Sequence, residues 1–145
     1  MKKMSTFFYA GLALILLVAP ALDAVAADGK APIAGGYCAV AYAKMGKAVK
    51  GSPQFASEVG GQTYHFVSAD AKKMFDAEPT KYPIAYQGYC ATGVAMGKKL
   101  VSNPEIFTVH KGTTYLFSNA EAKMMFDKDP EMTISKAAAS WSKIK

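Results

Sequence analysis

No arginine occurs in this chain, and its 17 cations are all lysine. Arginine is the usual bidentate clamp on phosphate and the usual reader of guanine edges. Without it, and with the lysines scattered along the chain, nucleic-acid recognition is not expected. Cysteine is almost as scarce, with only Cys38 and Cys90. Two sulfurs exclude a four-cysteine zinc site anywhere in the chain. Histidine is limited to His65 and His110, and tryptophan to Trp141. Cys-x-x-Cys, a Gly-rich phosphate loop ending in Lys-Ser/Thr, and His-Glu-x-x-His are all absent. A nucleophile could be built from Cys90 with His65 or His110, but no spacing singles out such a pair. Asp76, Glu78, Asp127 and Asp129 stand just before prolines, where solvated helix-end carboxylates are ordinary. The chain is not expected to be an enzyme.

Long apolar runs are missing too. The longest, residues 7–19, has 13 residues, against the ~18–20 needed to span a bilayer. Lys2 and Lys3 precede it and Ala24-Val25-Ala26 follow, so residues 1–26 read as an export signal. The mature protein is then periplasmic or secreted, with no stable membrane insertion. Setting aside Lys2, Lys3 and Asp23 from 17 cations and 11 anions leaves 15 lysines against 10 acids. That surplus of five describes a solvated basic surface.

What the chain does have is repetition. Gly36-Tyr37-Cys38-Ala39 recurs 52 residues later as Gly88-Tyr89-Cys90-Ala91. Met45-Gly46-Lys47 answers to Met96-Gly97-Lys98, and Gly61-x-Thr63-Tyr64-x-Phe66 to Gly112-x-Thr114-Tyr115-x-Phe117. Met74-Phe75-Asp76 answers to Met125-Phe126-Asp127. A unit of about 50 residues buries too little surface to be comfortable alone, so the copies are expected to share one core. The expected division is a signal at 1–26, a lead-in segment at 27–34, a first copy at 35–86, a second at 87–132 and a C-terminal helix at 133–145.

Local patterns fill in an α+β fold of short hairpins packed on helices. Residues 37–42 are β-prone, and 54–58 and 63–67 read as strands joined by a Gly60-Gly61 turn. Ser68 is a good N-cap for a helix over 69–77, with Ala71, Met74 and Phe75 facing inward and Pro79 stopping it. The second copy repeats the plan. It has strands over 106–109 and 113–117, a cap at Asn119, inward Ala122, Met125 and Phe126, and a stop at Pro130. Ile134, Ala137, Ala138, Trp141 and Ile144 keep a helical period over 135–144, with Ser135 near the cap and Trp141 plugging the joint between the copies.

Gly61-x-x-Tyr64-His65-Phe66-x-Ser68, then Phe75 and Glu78-Pro79-x-x-Tyr82, resembles the YHS domain family. A weaker form recurs as Gly112-x-x-Tyr115-x-Phe117, Phe126 and Asp129-Pro130. Ala85-Tyr86-Gln87-Gly88-Tyr89-Cys90-Ala91 and Ala139-x-Trp141 further resemble its exported, two-copy branch. The resemblance implies a hairpin packed on a helix and a link to heavy-metal handling, copper in particular. The chain departs from the metal-binding form of that family. Val67, and Ser118 in the second copy, stand where that form has a cysteine, and residues 69–75 supply none.

Three fates are open to the two sulfurs. Thiolates and thioethers select Cu(I), so Cys38 and Cys90 meeting at the joint would bind it, with Met45, Met96 and His65 as further ligands. The partner would then be the metal ion or a metal-handling protein. Exported cysteines also pair where geometry allows, and a Cys38–Cys90 disulfide closing this loop would contribute about 2–4 kcal/mol. Such a stapled module would present Tyr37, Tyr86 and Tyr89 to a protein partner. Otherwise the two are separate buried thiols. Met74 and Met125, on helix faces, read as core filler.

Overall fold

The computed structural model describes residues 30–145. The expected export signal at 1–26 and the start of the lead-in segment lie outside the described residues. The protein is α+β. Among the described residues there are five α-helices and two separate antiparallel two-stranded sheets. None of the helices described is long and apolar enough to cross a membrane.

The β-prone stretch at 37–42 is a helix instead. Only Tyr37 and Cys38 are extended, Tyr37 bridging Lys50, and α1 (Ala39–Met45) starts directly after Cys38. Ala39, Ala41 and Ala43 are strong helix formers, and Gly46 closes the helix at φ 60°, a left-handed cap that glycine adopts without a Cβ clash. Burial of four consecutive residues, Ala39, Val40, Ala41 and Tyr42, around the helix outweighs the β preference of Val and Tyr. Strands β1 (Ser52–Val59) and β2 (Gln62–Phe66) follow, joined by Gly60-Gly61 with both φ values positive, as a tight hairpin requires. Their register breaks between Ser52 and Ala56, at Pro53, which cannot donate to a ladder. Helix α2 (Ala69–Ala77) begins as expected, with the Ser68 hydroxyl accepting from the Ala71 N–H at 3.1 Å.

Beyond Tyr82 the chain runs through Ile84, which bridges Thr114 in parallel, into α3 (Ala91–Ala95). Strands β3 (Asn103–His110) and β4 (Thr113–Phe117) pair with a register break between Asn103 and Phe107. Helix α4 (Ala120–Lys128) is capped by Asn119, whose Oδ1 accepts from the Ala122 N–H at 2.8 Å. Pro130 does more than stop it. It is the first residue of α5 (Pro130–Ile144), where its missing N–H costs nothing, and Asp129 caps that helix through the Met132 N–H at 3.0 Å. The last helix therefore starts five residues before the expected position. Thr133 and Ala137 are its buried positions, and Ala138, expected inside, is exposed. It packs on α3.

The buried apolar side chains form two clusters rather than one. The first holds Cys38, Val40, Tyr42, Phe66, Phe75 and Tyr82, and takes in Leu116 from β4. The second holds Cys90, Tyr115, Phe117 and Phe126. Further ties cross between the halves. The Tyr42 hydroxyl donates to the Pro104 carbonyl at 2.7 Å, and the Tyr42 and Phe107 rings lie 4.7 Å apart.

Candidate functional site

Each cysteine is held by the residue pattern that starts the helix after it, yet the two sulfurs differ. Cys90 is the N-cap of α3, and its Sγ accepts the Gly93 N–H at 3.4 Å and the Ser118 hydroxyl at 3.5 Å. Cys38 holds the same position before α1, where its side chain caps nothing. Both are fully buried free thiols. They belong to different clusters, so the two sulfurs are not packed together.

Around Cys90 the walls are sulfur-rich. A cavity of about 200 Å³ between α3 and α4 is lined by Cys90, Met96, Met125, Ser118, Asn119 and Glu121, among others. An adjoining cavity of about 200 Å³ is lined by Met96, Met125, Met132, Thr92, Thr133 and Lys136. In the first half a cavity of about 260 Å³ between α1 and α2 has Met45 and Met74 in its wall, but Cys38 is not part of it. Val67 lines that cavity, so the position that holds a hydroxyl in the second half carries an apolar side chain here.

The methionines correct one expectation. Met74 and Met125 do not fill the core: they are 41% and 52% exposed, while Ala71, Phe75, Ala122 and Phe126 on the same helices are buried. Met45 and Met96 are exposed as well. Met125 and Met132 do not stand out in the sequence as sulfur donors, because an apolar side chain on a helix reads as core. The available signal is Met124-Met125, since two adjacent residues of a surface helix do not both sit at the centre of its inward face.

His65 lies on β2 beside Gly36, where a Cβ would stand 3.0 Å from its Nδ1. It lines none of these methionine cavities. His110 meets Glu131 at 3.0 Å on the surface, with Lys111 beside it. Hydrogen bonds from Lys111 first, then His110, hold the Glu131 carboxyl below its ordinary range. Among the described residues no three His, Cys, Asp or Glu side chains gather where they could hold one ion.

The tyrosines expected at a partner surface are engaged within the chain. Tyr86 and Tyr89 pack on Trp141 with ring centroids 5.8 and 6.2 Å away, and Lys99 lies 5.6 Å above the Tyr89 and Trp141 rings. Trp141 is half-buried and locks α5 onto the approach to α3. Burial pushes the Tyr86 phenol up to about 12. Tyr37 carries Lys50 over its ring and donates to Glu105 at 3.4 Å.

A separate cavity of about 370 Å³ is lined from both halves by Ile33, Ala34, Gly35, Gln87, Gly88 and Pro104, among others. Two left-handed turns form its walls. Ala34, Gly35 and Gly36 have φ of 52°, 61° and 82°, and Tyr86, Gln87 and Gly88 have 51°, 55° and 83°. Three of these six are not glycine, and each such residue costs about 1–2 kcal/mol. The turns also pack closely, since a Cβ on Gly88 would stand 2.9 Å from the Ala34 nitrogen.

Compared with known proteins, the chain matches no family, no curated protein and no solved structure.

Proposed function

We propose that this is an exported Cu(I)-binding protein of YHS-like, two-copy build, with Cys90, Met96 and Met125 as the ligands. One observation carries the reading: a buried thiol and two thioethers line a single cavity. Soft sulfur donors select Cu(I) over the harder divalent ions. The ion is cargo, received from and passed to other metal-handling proteins. When it binds, the Cys90 thiol proton leaves to solvent and the thiolate neutralises the ion's charge. Cys38 takes no part, because the first-half cavity offers thioethers without its thiol. The register breaks shared by the two hairpins, and the left-handed turns at matching positions, support descent of both halves from one unit. The periplasmic or secreted location rests on the pattern of residues 1–26.

Anaerobic Cu(I) titration against a competing chelator tests the reading. Wild type and Cys38→Ala bind one equivalent with the same affinity, and Cys90→Ser binds more than about tenfold more weakly, the change that ~1.4 kcal/mol produces. Unchanged binding in Cys90→Ser overturns it.

A further inference from the structure

Cys90 is 0% exposed, whereas Met96, Met125 and Met132 are half open to solvent. An ion bound by Cys90 must therefore first meet something else. Met96 lies at the end of α3, Met125 on α4 and Met132 in the first turn of α5. The three converge on the cavity next to that of Cys90, and Thr92, Met96 and Met125 are walls of both.

The geometry points to an outer Cu(I) site of three thioethers, Met96, Met125 and Met132, which accepts the ion and hands it inward to Cys90. This inference rests on Cys90 being a ligand and adds the step that precedes it. All six methionines among the described residues are exposed, so none is needed to fill the core. Half of them meet at this one cavity.

Its chemistry differs from that of the inner site. Thioethers carry no proton, so capture at the outer site exchanges the ion's previous ligands for three thioethers, releases no proton and does not depend on pH. The other side chains there are Thr92, Thr133, Ala95 and Lys136, none of which brings a carboxylate or imidazole that would favour a harder ion. An ion held there keeps its full positive charge beside the Lys136 ammonium. The inner cavity has the Glu121 carboxylate in its wall and gains the Cys90 thiolate, so the local field drives the cation inward. In the transfer the bond to Met132 breaks and the bond to Cys90 forms, while Met96 and Met125 stay bound. The thiol proton goes to water and copper remains Cu(I) throughout.

The test removes one sulfur at a time and reads binding of Cu(I) alone under anaerobic conditions, by competition with a chelator. Met132→Leu keeps the apolar bulk of an exposed side chain and deletes only the thioether. In Cys90→Ser, residual binding of one ion is expected, with an affinity that is flat between about pH 5 and pH 8 because no ligand proton is released. Adding Met132→Leu to Cys90→Ser should abolish that binding. Met132→Leu alone should slow loading of the otherwise intact protein in stopped flow. An outer site is overturned if Cys90→Ser binds no ion, if its residual affinity falls with pH, or if Met132→Leu leaves the residual binding intact. Binding by Cys90→Ser as tight as wild type, lost on adding Met132→Leu, would overturn the thiol ligand and keep the thioether site, so the two readings fail separately.

Discussion

Met96 and Met125 each line both cavities in the cleft where α3, α4 and α5 meet. Their counterparts Met45 and Met74 share a cavity that lacks a thiol. Replacing Met125 with leucine should therefore weaken Cu(I) binding roughly tenfold or more, whereas Met74→Leu should leave it unchanged. Both residues are exposed, so thermal melts of the two variants should stay within about 0.5 kcal/mol of wild type. Equal effects of the two substitutions on copper affinity would remove the distinction between the halves.

Cys38 is expected to behave as a packing residue. It is fully buried among Val40, Tyr42 and Phe66, with no hydrogen bond to its sulfur. Cys38→Ser puts a hydroxyl into an apolar cluster where the present sulfur makes no hydrogen bond, and should cost about 1–3 kcal/mol in urea denaturation. The corresponding change at Cys90 should cost less, because Ser118 and the Gly93 N–H already stand where a serine oxygen can bond. The reverse order would place the polar environment at the wrong cysteine.

The left-handed turns give two substitutions of opposite sign. Gln87 has φ 55° and an exposed side chain, so Gln87→Gly relieves strain and should stabilise by up to about 1 kcal/mol. One residue on, Gly88→Ala meets both a φ of 83° and the Ala34 nitrogen, and should destabilise by more than about 1 kcal/mol. Denaturant midpoints of the two variants check both signs.

Strands β2 and β4, the caps Ser68 and Asn119, and the whole of α2 could be read from the sequence because each rests on local rules. Alternation, a hydroxyl or amide before the helix, and a following proline decide them within a few residues. Residues 39–45 could not be read that way. Val40 and Tyr42 favour a strand in isolation, and only packing of α1 on the hairpin decides for a helix, although Gly46 followed by Lys47 was a usable stop signal. Pro130 reads locally as an end, although the same ring also suits a beginning. For the site, Cys90 and Met96 were visible from the repeat, but the repeat also made Cys38 look equivalent. What separates them, Ser118 against Val67 and a thiol that does or does not reach a cavity, is set by residues about 28 positions away. The pairing of the two sulfurs was a question of tertiary distance, which a tetrapeptide cannot answer.

Tyr42 ties the first half to the second and should make stability fall in alkali. Burial, with the Tyr37, Cys38 and Glu105 charges adding to it, pushes its phenol well above the usual value, and burial pushes Tyr86 up to about 12. A raised folded pKa means that the protonated phenol is the form the fold favours. That contribution is complete below the unfolded value of about 10 and is lost as pH rises through the folded values. The urea midpoint should therefore fall steeply from about pH 10 upward. Tyr42→Phe leaves the Pro104 carbonyl without its donor, costing about 1 kcal/mol at neutral pH, and should flatten the alkaline fall. A steeper fall in the variant would contradict this.

The claim that copper is held by the second half is tested most directly by methyl NMR. Protein labelled at the methionine methyl groups is titrated anaerobically with Cu(I), one resonance per methionine. The methyl signals of Met96 and Met125 should shift in proportion to the first equivalent, while Met45, Met74 and the exposed Met124 stay in place. First shifts at Met45 and Met74, or no shift at any methionine while copper binds, would contradict it.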